Sequence, residues 1–542
     1  MKCNKIKVLL LIAISFVQTN AQKYTRTDSL MGSITPERAW WDLKYYDLDV
    51  KVNIDEKYIS GKNTVLFQAT APGQIMQIDL QPPMKITAVH QGDVSLTWTK
   101  DGPNAHMIKL SESQEKGQLS AITIFFEGQP HEAVKPPWDG GITWDEDSKG
   151  LPFVASANQG IGASIWWPCK DHPADEVDSL KISVNAPKGL WNISNGRMTD
   201  MKLESDGSRT TTWEVKNPIN SYGVNINIGN YVSWSEVYQG EKGPLDLSFY
   251  VLPQYLGKAR EQFKDAIRTL EAFEHWFGPY PFYEDGYKLV QAPYLGMEHQ
   301  SSVTYGNGFQ NGYKGTDLSK TGWGLKWDFI IVHESGHEWF ANNITNKDEA
   351  DMWIHESFTN YSENLFTEYF YGKKAGAEYV IGTRDLIQNQ SPIIGDYGVN
   401  RSGSGDMYYK GGNMLHTIRQ IIDNDQLWRV ILRGLNLDFY HQTVTTEQIE
   451  NYISQKAKID LSKVFDQYLR TTKIPELSLK QKGKKIFYKW ENVVNGFDMP
   501  VDVLLDGKKT RLYPTSKTKK VKVKSLIVDE DYYIKTKWAS ED

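Results

Sequence analysis

A five-residue pattern in the middle of the chain carries the residue types that a metal-dependent hydrolase needs. His333, Glu334 and His337 form the sequence H-E-x-x-H. Residues four apart on an α-helix lie on one face, about 6 Å apart along the axis, so the two imidazoles can bind one zinc ion. Glu334 follows the first ligand and can accept a proton from a zinc-bound water. The pattern therefore predicts a zinc site that activates water.

Catalytic zinc usually has three protein ligands and one open position that holds water. A third His in the spacing H-E-x-x-H-x-x-G-x-x-H is excluded, because the positions of its Gly and third His are Phe340 and Asn343. The next candidates are His355 and Glu356, and 18 residues separate Glu356 from His337. Adjacent residues on a helix point about 100° apart, so only one of the two can face the metal.

These candidate ligands require two neighbouring helices. The sequence predicts one helix over residues 325–342 and a second over 355–371. Upstream, Phe263, Ile267, Leu270, Phe273 and Phe277 recur at three- and four-residue steps, which predicts an amphipathic helix ending at Gly278-Pro279. We expect residues 249–474 to form a mainly helical catalytic domain with a small sheet.

The segments on either side have the two-residue period of β-strands. Tyr46, Leu48, Val50 and Val52 alternate with polar residues, and the same alternation recurs through the first half of the chain. Residues 22–248 are predicted to form an all-β domain of saddle or sandwich type, and residues 475–542 a small β-sandwich. The predicted fold class is therefore multidomain α+β.

The first 21 residues have the pattern of an export signal. Lys2, Lys5 and Lys7 precede an apolar run over residues 8–17, and Ala21 is a small residue suited to cleavage. We expect an exported protein, periplasmic or extracellular, with no transmembrane segment.

The net charge of −6 would become −9 on cleavage, which disfavours nucleic acid as a partner. Cys169 would be the only thiol left, so no intrachain disulfide is expected.

The complete pattern H-E-x-x-H-x18-E resembles the gluzincin zinc aminopeptidases, the family of aminopeptidase N and leukotriene hydrolase. The segment from His337 to Asn342 is similar to that family's H-x-W-F-G-N. The resemblance implies a thermolysin-like catalytic domain that binds one zinc ion per chain. It implies His333, His337 and Glu356 as ligands and Glu334 as the catalytic base.

A second motif, Leu295-Gly296-Met297-Glu298-His299, resembles the family's G-x-M-E-N. The resemblance implies that this segment is an edge strand lining the cleft, where Gly296 and Met297 contact the substrate. It implies that Glu298 binds the free α-amine, as a fixed carboxylate would. Leu295 and His299 depart from the family's Gly and Asn, which leaves the shape of the first side-chain pocket open.

Two further motifs add candidate residues. The segment from Tyr408 to Gly411 resembles the family's Y-x-K-G, which implies that Tyr408, rather than Tyr409, donates its hydroxyl to the developing oxyanion. The segment from Pro168 to Pro173 is close to the family's P-C-x-D-x-P. Nine residues before it, Gln159 matches a glutamine that reaches the amino end of the substrate in relatives.

The resemblance implies an aminopeptidase that acts on peptides with a free N-terminus, in a short bacterial form without the family's large C-terminal helical domain. Three alternatives remain: a zinc endopeptidase, a lipid epoxide hydrolase, and a catalytically inactive peptide-binding protein. The missing helical domain disfavours epoxide hydrolysis. The presence of all three ligands and the base disfavours an inactive protein.

Overall fold

The first half of the chain folds into β-sheets because apolar and polar residues alternate along it. The computed structural model describes residues 24–539, so the predicted signal peptide lies outside the described residues. Tyr46, Leu48, Val50 and Val52 are buried, as their alternation predicts. They lie on a strand of an eight-stranded sheet whose members, in spatial order, are Arg197–Leu203, Arg209–Val215, Ser179–Ala186, Trp41–Asn53, Tyr58–Ala69, Leu119–Gly128, Lys85–Gln91 and Val94–Ser95.

Two smaller sheets and two short helices complete this β region. Cys169 is buried in its core as a free thiol. The helices are α1 (Arg26–Gly32) and α2 (Pro36–Ala39). A four-stranded sheet comprises Trp191–Ile193, Asn227–Gly229, Pro152–Ala157 and Gly141–Glu146, and a three-stranded sheet comprises Gly73–Asp79, Ala105–Gln114 and Thr97–Asp101.

A five-stranded sheet joins the β region to the helices. In spatial order its strands are Val232–Gly240, Gly243–Val251, Tyr287–Gln291, Val303–Tyr305 and Gly296–Met297. The predicted boundary between residues 248 and 249 falls inside the second strand. This strand pairs in parallel with Tyr287–Gln291, and its apolar side chains pack in the same core as the helices. The alternation of side chains identifies a strand but not the sheet to which the strand belongs. The catalytic sheet begins at Val232, about 17 residues before the predicted boundary.

The helical region contains nine of the α-helices that the structure describes. They pack around one large hydrophobic core. They are α3 (Leu256–Gln262), α4 (Lys264–Phe277), α5 (Phe329–Gly336), α6 (Trp353–Tyr371), α7 (Lys373–Gly382), α8 (Tyr409–Ile422), α9 (Asp425–Asp438), α10 (Thr446–Ala457) and α11 (Ser462–Arg470), and the short strands Ile344–Asn346 and Gln442–Val444 pair beside them.

The helix that carries H-E-x-x-H is shorter than the sequence predicts. Asp328 begins α5, because its carboxylate accepts the backbone N–H groups of Ile330 and Ile331. The α-helix ends at Gly336, and an irregular π-helical stretch covers Glu338–Asn343. His337 keeps helical backbone angles (φ −64°, ψ −17°), so the two His still lie one turn apart.

The last segment forms two sheets against the helices. In spatial order, one comprises Lys519–Val521, Lys485–Glu491, Glu476–Lys482 and Lys535–Trp538, and the other comprises Lys508–Leu512, Val501–Leu505 and Leu526–Val528. Their apolar residues continue the helical core. The predicted α+β fold class is thus confirmed. Within residues 24–539, no helix has both the length and the apolar content needed to cross a bilayer.

Candidate active site

His333 and His337 on α5 face Glu356 on α6 at the bottom of a cleft. All three are buried, and their candidate ligand atoms lie within 4.8 Å of one another. Oε2 of Glu356 is 3.4 Å from Nε2 of His337 and 3.8 Å from Nε2 of His333. A tetrahedral ion bonded at about 2.0–2.2 Å separates its ligand atoms by about 3.3–3.6 Å, close to this arrangement.

The carboxylate of Glu356 also shows that this donor set fits a cation. Its Oε2 atom is buried and, within the described residues, has no hydrogen-bond partner. An unpaired buried oxygen costs free energy that a bound cation would offset. Burial alone would raise the pKa of Glu356, yet the neighbouring His337 and His333 lower it to about 2. An anionic oxygen and two imidazoles form the donor set of a catalytic zinc ion.

Neighbouring groups hold both imidazoles in the orientation that a metal requires. Nδ1 of His333 donates to the Glu363 carboxylate at 2.8 Å. Nδ1 of His337 donates to the carbonyl of Phe340 at 3.0 Å, and the Thr359 hydroxyl lies at the same distance. Each ring therefore presents Nε2 to the cleft. The sequence reasoning missed Glu363, although it lies seven residues after Glu356, two turns along the same face of α6.

His355, the other candidate for the third ligand, is engaged elsewhere. Its Nε2 accepts the backbone N–H of Asn346 at 2.8 Å, and the ring is fully buried. Burial lowers the pKa of His355 to about 3, so the ring stays neutral. Because His355 and Glu356 are adjacent on α6, their side chains point in different directions. Glu356 faces α5, and His355 faces the short strand that contains Asn346.

Glu334 and Glu298 place two more carboxylates beside the imidazoles. Ligand atoms of Glu298, Glu334 and His337 lie within 4.8 Å of one another. Burial, with Glu298 and Glu356 adding to it, raises the pKa of Glu334 to about 7. A carboxyl group with a pKa near neutrality can both accept and return a proton, as a catalytic base must.

Gln159 links the β region to this acidic end of the cleft. Its Nε2 donates to Glu298 at 2.7 Å and lies 3.3 Å from Oε1 of Glu356. The backbone carbonyl of Glu298 accepts a hydrogen bond from Asn342 at 2.8 Å. These contacts fix the Glu298 carboxylate, which is only 2% exposed, in front of the candidate metal ligands.

The edge strand Gly296–Met297 forms one wall of the cleft. A Cβ atom on Gly296 would lie 2.6 Å from Ile330 Cγ2 and 2.8 Å from Glu334 Oε1, so no side chain fits there. Leu295 and Met297 also line the cleft, whereas His299 is fully buried outside its lining. Of the two departures from the motif, only Leu295 therefore changes the wall of the cleft.

Tyr408 lies against the first imidazole at the start of α8. Its ring is nearly parallel to that of His333, with centroids 6.1 Å apart. Burial and the nearby Glu356 raise the pKa of Tyr408 well above its ordinary value, so its hydroxyl keeps its proton. Tyr409 also lines the cleft, and burial raises its pKa, but the carboxylate that adds to this shift is Glu363, behind His333.

The cleft has a volume of about 370 Å³ and lies between the β region and the helices. The polar groups described above share the lining of the cleft with the large side chains of Trp138, Tyr313 and Phe329, and the Phe329 ring stacks on that of His333 with centroids 5.3 Å apart. Such a cleft can hold a short extended peptide with one polar terminus.

Curated proteins that resemble this chain are aminopeptidases from archaea and mammals. "Probable aminopeptidase 2" of Sulfurisphaera tokodaii is 22% identical over 436 residues, which cover 74% of this chain and 52% of that protein. "Leucyl aminopeptidase" of Saccharolobus solfataricus is 23% identical over 442 residues, covering 77% and 54% respectively. The chain thus spans about half the length of these curated relatives.

A solved structure shares the fold over almost its whole length. It is the M1 zinc metallopeptidase of Deinococcus radiodurans, solved as a mutant bound to a Tyr-Ser-Ala substrate. The match has a TM-score of 0.68 at 19% identity and covers 82% of this chain and 98% of that one. At this identity the match establishes the fold alone.

Family sequence models match both the β region and the helical region. The Peptidase M1 N-terminal domain matches residues 43–222, and the Peptidase family M1 domain matches residues 261–468. Together they cover well over half of the chain and include every candidate site residue named above. The chain therefore belongs to peptidase family M1.

Proposed function

We propose that this protein is a zinc-dependent aminopeptidase that removes the first residue of peptides with a free N-terminus. The observation that carries the proposal is the position of Glu298. Its fixed, buried carboxylate lines the cleft, and its ligand atom lies within 4.8 Å of those of Glu334 and His337. A peptide ammonium paired with Glu298 would hold the first peptide bond, rather than an internal one, beside Glu334.

The chain's own residues would act in sequence on that bond. A zinc ion held by His333, His337 and Glu356 would lower the pKa of a bound water and polarise the scissile carbonyl. Glu334 would accept the proton of the attacking water and pass it to the leaving amine. Tyr408 would donate its hydroxyl to the carbonyl oxygen as negative charge develops there.

The relatives support this reaction class. The curated matches are named as aminopeptidases, and the Deinococcus structures include complexes with a peptide substrate and with the amino acids tryptophan and arginine. Ligands of that kind require a cleft that accepts a free amino terminus. The same requirement would be met here by Glu298 and Gln159.

A panel of amino-acid aryl amides, with matched N-acetylated peptides, tests the proposal. We expect zinc-loaded protein to hydrolyse the free amides, to lose that activity with a chelator and to regain it with zinc. N-acetylated peptides should be cleaved at least about 100-fold more slowly, because they lack the charge that pairs with Glu298. Rapid cleavage of blocked peptides would instead indicate an endopeptidase.

We also propose that the enzyme acts outside the cytoplasm, in the periplasm or beyond the cell. The support is the basic and apolar pattern of residues 1–21. N-terminal sequencing of protein recovered from the fractionated source organism should find Gln22 as the first residue. Recovery of uncleaved protein from the cytoplasm would contradict this.

A further inference from the structure

A second cavity adjoins the cleft at the amino-terminal end of the edge strand. Its volume is about 480 Å³, and it shares Trp138 and Leu295 with the wall of the cleft. Its other lining residues include four aromatic side chains, those of Tyr255, Tyr294, Tyr305 and Phe309, together with polar and small residues. The reaction proposed above uses none of these residues.

The edge strand defines the direction in which a bound peptide would run. Gly296–Met297 is the last strand of its sheet and pairs on one side with Val303–Tyr305, so its other edge has no partner strand among the described residues. A peptide can add to a free edge through backbone hydrogen bonds. Its amine would lie at Glu298, and its first peptide bond beside Glu334.

Glu334 lies toward the amino-terminal end of the edge strand. The position of a Cβ atom on Gly296 is only 2.8 Å from Oε1 of Glu334. A peptide that starts at Glu298 and passes Glu334 must therefore run antiparallel to the edge strand, past Gly296 and toward Leu295. At about 3.3 Å per residue, its fourth residue would lie opposite Leu295, at the entrance to the second cavity.

The entrance presents side chains suited to the distal part of a peptide. Trp138 is 66% exposed, which is unusual for so large an apolar side chain. The Lys314 ammonium lies 5.8 Å from the centre of the Trp138 ring, and Lys314 is exposed. Trp138 and the aromatic side chains of the cavity would pack against an apolar side chain, and Lys314 would attract the carboxylate that ends a short peptide.

We propose that this second cavity is a distal subsite for the fourth and fifth residues of the substrate, with a preference for a large apolar fourth residue. The preferred substrates would then be oligopeptides of four or more residues rather than dipeptides. The inference rests on the proposed aminopeptidase function, because that function places the amine at Glu298.

Initial rates on three peptides test the inference. We expect Ala-Ala-Ala-Phe-Ala to have a kcat/KM about tenfold above those of Ala-Ala-Ala-Gly-Ala and Ala-Ala, since one partly buried aromatic ring is worth about that factor. Equal values for the three peptides would overturn the subsite. Failure to hydrolyse any aryl amide when zinc is bound would instead reject the aminopeptidase function itself.

Two variants assign the effect to the cavity. The measured quantity is the kcat/KM for the Phe pentapeptide divided by the kcat/KM for the dipeptide. Trp138→Ala should lower this ratio about fivefold to tenfold. Trp538→Ala is the matched control, because Trp538 is also exposed (46%) but lies on the last strand, outside both cavities. An equal ratio in the two Trp variants would overturn the proposal.

Lys314→Glu provides a test that does not depend on the packing of Trp138, since Lys314 is an exposed residue. It should lower the kcat/KM for the pentapeptide acid relative to its C-terminal amide. An unchanged acid-to-amide ratio would exclude the role of Lys314.

Discussion

Glu363 shows how much of the active site depends on residues outside the recognised motifs. Its carboxylate accepts hydrogen bonds from His333, Asn360 and the Tyr379 hydroxyl, at 2.8, 3.2 and 2.8 Å. It is fully buried and fixes the tautomer of the first imidazole. Individual side chains therefore divide into those that would contact the metal or substrate and those that orient them.

Glu363→Ala should weaken zinc binding about tenfold to 100-fold, because His333 loses the group that orients its ring. The measurement is a competition for zinc with a chelator of known affinity. Glu363→Gln is the matched control, since its amide oxygen can still accept from Nδ1 of His333. Wild-type zinc affinity in Glu363→Ala would show that the hydrogen bond does not organise the site.

Glu334→Gln should retain one zinc ion per chain and lose activity by a factor of about 10² to 10⁴. The side chain keeps its size and is not one of the three proposed ligands, so the change removes only the basic group. Metal analysis and aryl-amide kinetics on the same preparation measure both properties. Substantial activity in a zinc-replete variant would exclude Glu334 as the base.

Among the secondary-structure elements, the short edge strand fits closely against its neighbour. It lies against α5, and both sequence motifs meet where Gly296 approaches Ile330 and Glu334. α5 in turn packs closely on α6, where a Cβ on Gly336 would lie 2.7 Å from the Ser362 hydroxyl. Close packing of these three elements brings ligands and base together.

Gly296→Ala should reduce kcat/KM at least about tenfold, because the added methyl group must displace the Glu334 carboxylate or the strand. Gly257→Ala is the control, since a Cβ atom there meets nothing within 4 Å. Aryl-amide kinetics and thermal unfolding would be compared for both variants. Unchanged kinetics in Gly296→Ala would show that the strand can move away without cost.

At the scale of the whole molecule, the active site depends on the junction between the β region and the helices. Gln159 reaches the cleft from the β region, and Glu176 accepts a hydrogen bond from Thr345 across the same junction at 2.5 Å. Burial raises the pKa of Glu176 to about 8. Ionisation of this one carboxyl group would therefore place a poorly solvated charge at the contact between the two regions.

The stability of the junction should depend on pH through Glu176. The folded protein keeps this proton up to about pH 8, whereas the unfolded chain loses it near its ordinary pKa of 4.5. Between those values the unfolded state binds fewer protons, so the free energy of unfolding falls as pH rises. Glu176→Gln keeps an oxygen acceptor for Thr345 but lacks the ionisation.

Urea unfolding of the wild type and Glu176→Gln at pH 5 and pH 8 would measure this effect. From pH 5 to pH 8, we expect the free energy of unfolding to fall more in the wild type than in Glu176→Gln. Parallel changes in the two proteins would show that Glu176 does not retain its proton in the folded state.

Local spacing was enough to predict the chemistry and the class of fold. The four-residue step from His333 to His337 requires only one turn of helix, so the imidazole pair follows from helical geometry. The alternation around Tyr46 and Val50 likewise requires only a strand with one buried face. The motifs that resemble the M1 peptidases supplied Glu356, Glu298, Tyr408 and Gln159 as expectations, which the structure brings to one cleft.

Contacts between distant segments could not be read from spacing. The strand Gly243–Val251 has the alternation of the β region, yet its hydrogen bonds place it in the catalytic sheet. Glu363 is one carboxylate among many until packing sets it 2.8 Å from His333. Trp138 and Leu295 line the same two cavities only because the β region docks on the helices. Periodicity reports the environment along one element, whereas packing joins residues that are far apart in the chain.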